Sequence, residues 1–122
     1  MERRAATRIP FTVKSFICHD ETRHEGTVLD VSLEGLYIKV PYEFPLHMKV
    51  TVELQLETGG FRKKLAVKGT VVRHESEGSA VKFIRMDIDS YSELRDILMN
   101  KSDDPMMIMD EFYCFIEKNQ IT

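Results

Sequence analysis

No stretch of this sequence approaches the roughly 18 apolar residues of a membrane-spanning helix, so no membrane segment is expected. The start, Met1-Glu2-Arg3-Arg4, lacks the apolar core of a secretory signal, which points to a cytoplasmic protein. Cysteine is scarce. Cys18 and Cys114 lie far apart and form no Cys-x-x-Cys unit, so two reduced, packed thiols are expected rather than a disulfide framework or metal knuckle. His19, His24, His47 and His74 fall at no metal-ligand spacing, which leaves them surface or turn roles and predicts no metal. No nucleophile and base stand together, and the carboxylates are scattered, so no enzymatic activity is expected. Also missing is a broad basic face. Residues 1–8 hold three Arg against one Glu, residues 9–86 hold 11 basic and 10 acidic side chains, and residues 87–122 hold three basic and nine acidic ones. Positive charge focused at one terminus suits a small anion better than a nucleic-acid polymer.

What is present fits one domain spanning residues 1–122. Hydrophobic residues make up 43% of the 122, too many for a disordered chain. A charged, flexible lead-in over 1–8 precedes short β-branched and aromatic runs punctuated by turns. Strands are predicted over 9–18, 23–29, 35–40, 49–56, 61–73 and 79–86, with Gly59-Gly60 as a hairpin turn. Six antiparallel strands in about 80 residues suggest a small barrel or sandwich over 9–86. The tail, 90–118, is helical in pattern. Ser90 and Glu93 match a capping box, with Leu94, Ile97 and Leu98 on one stripe. Asp104-Pro105 starts a second helix, with Met109, Phe112, Tyr113 and Ile116 at helical spacing. Its methionines read either as core filler or as an adaptable docking surface for a partner.

Two short segments carry the chemistry. Asp30-Val31-Ser32-Leu33-Glu34-Gly35 reads Asp-x-Ser-x-x-Gly, and Arg4-Ala5-Ala6-Thr7-Arg8 reads Arg-x-x-x-Arg, with Arg3 just before it. Arginine forks match both the O6/N7 edge of guanine and phosphate oxygens. The Asp30 carboxylate can accept from guanine nitrogens, Ser32 adds a hydroxyl, and Gly35 permits close backbone approach. Turn chemistry is the competing reading for Asp30, Ser32 and Gly35, and a solvated charged terminus is the competing reading for the arginines.

The pair of motifs, in this order and each at the edge of a β run, resembles the PilZ domain family. The resemblance extends from about Arg3 to Met86. It includes Gly69-Thr70-Val71-Val72 and Ala80-Val81-Lys82-Phe83, which look like the family's last two barrel strands. It implies a mostly β fold, a six-stranded antiparallel PilZ-type β-barrel with C-terminal α-helices. It also implies cyclic di-GMP as ligand, held by Arg3, Arg4, Arg8, Asp30, Ser32 and Gly35, with no other cofactor. Within the family, an arginine in the position of Arg3 goes with a stacked ligand pair, hence two molecules per chain. Arg73 is near where the family often places an aromatic or cationic group and is a possible secondary contact; an exposed strand-end arginine is its competing reading. The lead-in would fold over the bound ligand and switch an unidentified protein partner, with the C-terminal helices as a possible surface. Two rivals stand beside this. One is a PilZ-fold interaction protein of a motility or secretion assembly that does not bind the nucleotide. The other is a barrel for single-stranded nucleic acid, which lacks the basic groove and stacking aromatics such binding uses.

Overall fold

A computed structural model describes residues 6–58, 60–75 and 77–119. Six strands and two helices follow one another: β1 (Ile9–His19), β2 (Thr22–Val31), β3 (Gly35–Lys39), β4 (Lys49–Thr58), β5 (Phe61–Glu75), β6 (Gly78–Arg85), α1 (Ile88–Lys101) and α2 (Pro105–Asn119). All strand neighbours are antiparallel. They close into a barrel in the order β1-β2-β3-β6-β5-β4. Closure leaves no strand with a wholly unpaired edge. The expected six-stranded barrel and two C-terminal helices are therefore present, with strand ends within two residues of those predicted.

Period-2 alternation builds the interior. Ile17, Val28, Leu36, Ile38, Val52, Leu54, Val67 and Val71 all face inward and are essentially inaccessible. Each such side chain contributes roughly 1.5–3 kcal/mol relative to exposure. At the barrel end, Leu94 and Leu98 of α1 and Ile108 and Phe112 of α2 complete the same core. Tyr91 and Phe112 join the helices, their ring centroids 5.1 Å apart, and Arg95 lies over Phe112 at 4.6 Å. Lys63 of β5 pairs with Glu93 of α1 at 2.5 Å.

Three expectations need correction. The first helix begins before Ser90: the N-cap is Asp87, whose carboxylate accepts from the Ser90 backbone N–H at 3.2 Å. Hydrogen bonding from the Ser90 hydroxyl first, and then from its backbone N–H, holds the Asp87 carboxyl below its ordinary value. Glu93, expected to close a capping box, is drawn instead to Lys63 on the barrel. In the second helix the buried face is turned toward Ile108, Glu111 and Phe112, leaving Tyr113 exposed. Of the two thiols, Cys18 is half-buried but Cys114 is exposed on α2. Asp104 does cap α2 as expected, accepting from the Met107 N–H at 3.2 Å.

Candidate functional site

The Asp30 motif lies where β2 leaves the regular ladder. Val28 pairs with Ile38 and Asp30 with Tyr37, so Leu29 is an extra residue in β2. The ladder to β1 shifts at the same place, between the Ile9–Val31 and Pro10–Asp30 pairs and the Val13–Val28 pair. Such bulges re-aim the side chains beside them. Asp30 comes out on the barrel's outer wall. Across the wall the register runs from Asp30 to Tyr37 on β3, Ala80 on β6 and Arg73 on β5. Directly opposed residues in an antiparallel ladder share a face. That row underlies a depression of about 680 Å³ lined by Arg8, Asp30, Tyr37, Lys39, Arg73 and Glu75, with Leu29 and Glu77 at its margin. The structure thus brings Arg8, Asp30 and Arg73 into one concavity, and Arg73 joins it through register alone.

Within the depression every cation already has a partner. Arg8 pairs with Asp30 through a short contact. Arg73 reaches Glu75 at 3.2 Å and Lys39 reaches Glu77 at 3.3 Å. These are exposed or half-exposed pairs, worth about 0–1 kcal/mol each, so a ligand can exchange them at small cost. Their charges nonetheless cancel: three cations face Asp30, Glu75 and Glu77. Arg3 and Arg4, the remaining predicted ligand residues of the lead-in, lie outside the described residues.

Ser32 and Gly35 are in the same loop but do not open onto the depression as free groups. Ser32 is buried. Its hydroxyl accepts from the N–H groups of Glu34 at 3.0 Å and Gly35 at 3.2 Å, and lies 3.3 Å from the Gly35 carbonyl. The Ser32 N–H donates to that same carbonyl at 2.8 Å. Gly35 packs against β6 so closely that a Cβ there would sit 2.3 Å from the Val81 carbonyl oxygen. Serine and glycine thereby fix the turn that presents Asp30. Tyr37, Glu75 and Glu77 are lining residues that the motif reading missed. Alternation on β3, with Leu36 and Ile38 inward, was the available signal for Tyr37 pointing out. The Tyr37 hydroxyl donates to the Glu75 carbonyl at 2.6 Å.

Both motifs are tied to the C-terminal helices. Thr7, inside the arginine motif, donates from its N–H to Glu111 of α2 at 3.0 Å and from its hydroxyl to the other carboxylate oxygen at 2.5 Å. The neighbouring Ala6 is buried. The end of the expected flexible lead-in is therefore fastened, by an apolar contact and a carboxylate, while residues 1–5 lie outside the described residues. On the other side, Tyr91 of α1 donates to the Leu33 carbonyl inside the Asp30 loop at 3.3 Å. Burial raises the Tyr91 pKa well above the usual tyrosine range, and nearby Glu34 and Glu111 add to the rise.

A model of the PilZ domain matches residues 2–100. The chain belongs to the PilZ domain family. No curated protein sequence matches it. Solved structures do. The PilZ domain of CeSA from a cellulose-synthesizing bacterium superposes with TM-score 0.61 at 14% identity, covering 78% of this chain and 97% of that one. The Bacillus subtilis inhibitor of motility, MotI/DgrA, superposes with TM-score 0.68 at 13% identity, covering 82% of this chain and 51% of that one. The chain therefore spans about half the length of the motility inhibitor. Identities this low establish a shared PilZ barrel. In this PilZ chain no described helix is long and apolar enough to cross a membrane.

Proposed function

We propose that this PilZ protein is a cytoplasmic cyclic di-GMP receptor that switches a protein partner, and that it catalyses no reaction. PilZ domains are in general receptors for this nucleotide and act as binding or effector modules. The carrying observation is the convergence of Arg8, Asp30 and Arg73 on one depression whose two motif loops are each bonded to a C-terminal helix. Arg4 and Arg8 take guanine edges and phosphates, Asp30 accepts from a guanine, and Ser32 and Gly35 hold the turn. Tyr37 and Arg73 supply flat faces against which a guanine can stack. When the arginines turn onto the ligand, Thr7 is pulled from Glu111, so α2 reports occupancy. The half-exposed surface of that helix, with Met106, Met107 and Tyr113, is then the partner face.

Stoichiometry follows from the count of guanidiniums. One ligand molecule has two guanines and two phosphates, which Arg4 and Arg8 largely satisfy. Arg3 adds a third fork, best used by a stacked pair. Titration calorimetry with cyclic di-GMP on the purified chain is expected to give two ligands per chain, falling toward one in Arg3→Leu.

A second reading has its own observation. Glu75 and Glu77 neutralise the two cations on the far side of the depression, an arrangement that also suits a PilZ-fold interaction protein with no nucleotide. Absence of heat on titration, together with retained partner capture, would select that reading.

A further inference from the structure

The barrel is closed, but one seam is closed only halfway. β1 and β4 pair through Ser15–Cys18 and Leu54–Thr51 and no further. Beyond Ser15 and Leu54 the two strands part, and a groove of about 820 Å³ opens between them and the end of α1. The effect is visible in burial. Ser15, Ile17 and Leu54, inside the paired half, are wholly buried, whereas Val13 and Phe11, the inward-facing positions of β1 just beyond it, are half-buried. With Leu56 and Ile97 they form an apolar floor. Before Ser15 on β1 and after Leu54 on β4 the two strands share no ladder pairs, which leaves room for an added strand.

The rim has a sign. Lys14, Arg62 and Lys101 border the groove against a single carboxylate, Glu57. Lys101 lies over the Phe11 ring at 5.0 Å and has no carboxylate partner among the described residues. Lys14 and Arg62 have only exposed partners, Glu25 at 3.0 Å and Glu57 at 3.6 Å, which a competing carboxylate can displace. A cationic rim stands out in a chain whose net charge is −3. Its cations lie on β1, β5 and α1, and none of them lines the nucleotide depression.

We infer that the half-open β1–β4 seam is a docking slot for an extended acidic segment of a partner protein, which adds as a strand and alternates apolar side chains onto the floor with carboxylates onto the rim. Main-chain pairing supplies affinity, and charge selects the sequence. This inference is independent of the nucleotide reading.

The test is titration of the isotope-labelled full chain with a blocked eight-residue peptide alternating valine and glutamate, followed by backbone amide shifts. Shifts should concentrate at residues 11–14, 55–57 and 97–101. The double variant Lys14→Glu, Lys101→Glu should weaken binding at least tenfold while leaving the rest of the amide spectrum dispersed. A peptide alternating valine and lysine should leave those amides unmoved. No shift at the seam with the acidic peptide at millimolar concentration would overturn the inference. So would equal shifts with the lysine peptide, or undiminished binding in the double variant.

Discussion

Residues of the two motifs serve different ends. Arg8 is half-exposed and its ion pair with Asp30 adds little to folding. Ser32 is buried with its hydroxyl already bonded within the loop, and Gly35 has β6 where a side chain would go. Substitution should separate the two kinds. Arg8→Ala is expected to weaken cyclic di-GMP binding by about 1–3 kcal/mol while changing stability by less than about 1 kcal/mol. Ser32→Ala leaves two turn N–H groups without their acceptor and should cost roughly 1–3 kcal/mol of stability. Gly35→Ala forces a Cβ onto a backbone oxygen and should cost at least that much. Calorimetric titration and denaturant unfolding of the same three variants distinguish these outcomes. Full affinity in both Arg4→Ala and Arg8→Ala would remove the arginines from the site. The motif was legible because residue types and spacing are linear properties. The turn role of Ser32 and Gly35 was legible too, as the competing reading; the close packing of Gly35 on Val81 was not, because it is a fact of the β3–β6 pairing.

At the scale of elements, the helices act on the site through single side chains. Tyr91 is a buried phenol whose pKa is raised above its ordinary 10.0, chiefly by burial. A raised folded-state value means the stabilisation is complete below pH 10 and is lost as the pH rises beyond it, where the unfolded tyrosine ionises and the folded one does not. Alkaline unfolding should therefore set in above about pH 10, and Tyr91→Phe should flatten that limb. At neutral pH the same variant should cost on the order of 1 kcal/mol for the lost bond to Leu33. Urea midpoints measured between pH 7 and pH 11 check both. Glu111 is the other connection. Glu111→Ala should free the Thr7 amide, raising its hydrogen exchange by an order of magnitude, with a stability loss of roughly 1–2 kcal/mol. Unchanged Thr7 protection would mean that Ala6 and the strand hold the segment without α2. The sequence pattern located both helices, since Leu94, Leu98 and Phe112 are periodic and buried. It misplaced the start of α1 because Ser90 and Glu93 match a capping box, whereas Asp87 caps the helix and Glu93 pairs with Lys63 on the barrel. It could not identify Tyr91 or Glu111 as links to the loops, since each reaches a partner over 50 or more positions away.

For the whole molecule, the alternation that predicts six strands carries no information about which strands meet. β3 pairs with β6, and β1 closes on β4, and these non-sequential pairings set Asp30 and Arg73 on one wall. Charge distribution, by contrast, is a sequence property with a direct physical consequence. Residues 1–8 hold three arginines against one glutamate, while residues 87–122 carry nine acidic against three basic side chains. The described lining of the depression is charge-balanced. The net attraction for the doubly charged ligand proposed above would therefore come mainly from the lead-in arginines. Raising salt from about 0.05 to 0.5 M shortens the Debye length from roughly 14 to 4 Å, which screens that attraction in part. Cyclic di-GMP affinity should fall severalfold over this range. A DNA-binding protein with many phosphate contacts loses roughly 10³–10⁵ over a narrower one, because it releases a condensed counterion for each contact, and two phosphates on a small ligand condense almost none. Arg4→Ala should make the dependence shallower, since it removes one of the charges being screened. Calorimetry at several salt concentrations reads both slopes. An affinity flat in salt would mean that the arginines do not meet the phosphates, and a slope of polymer size would mean that the true ligand is a nucleic acid.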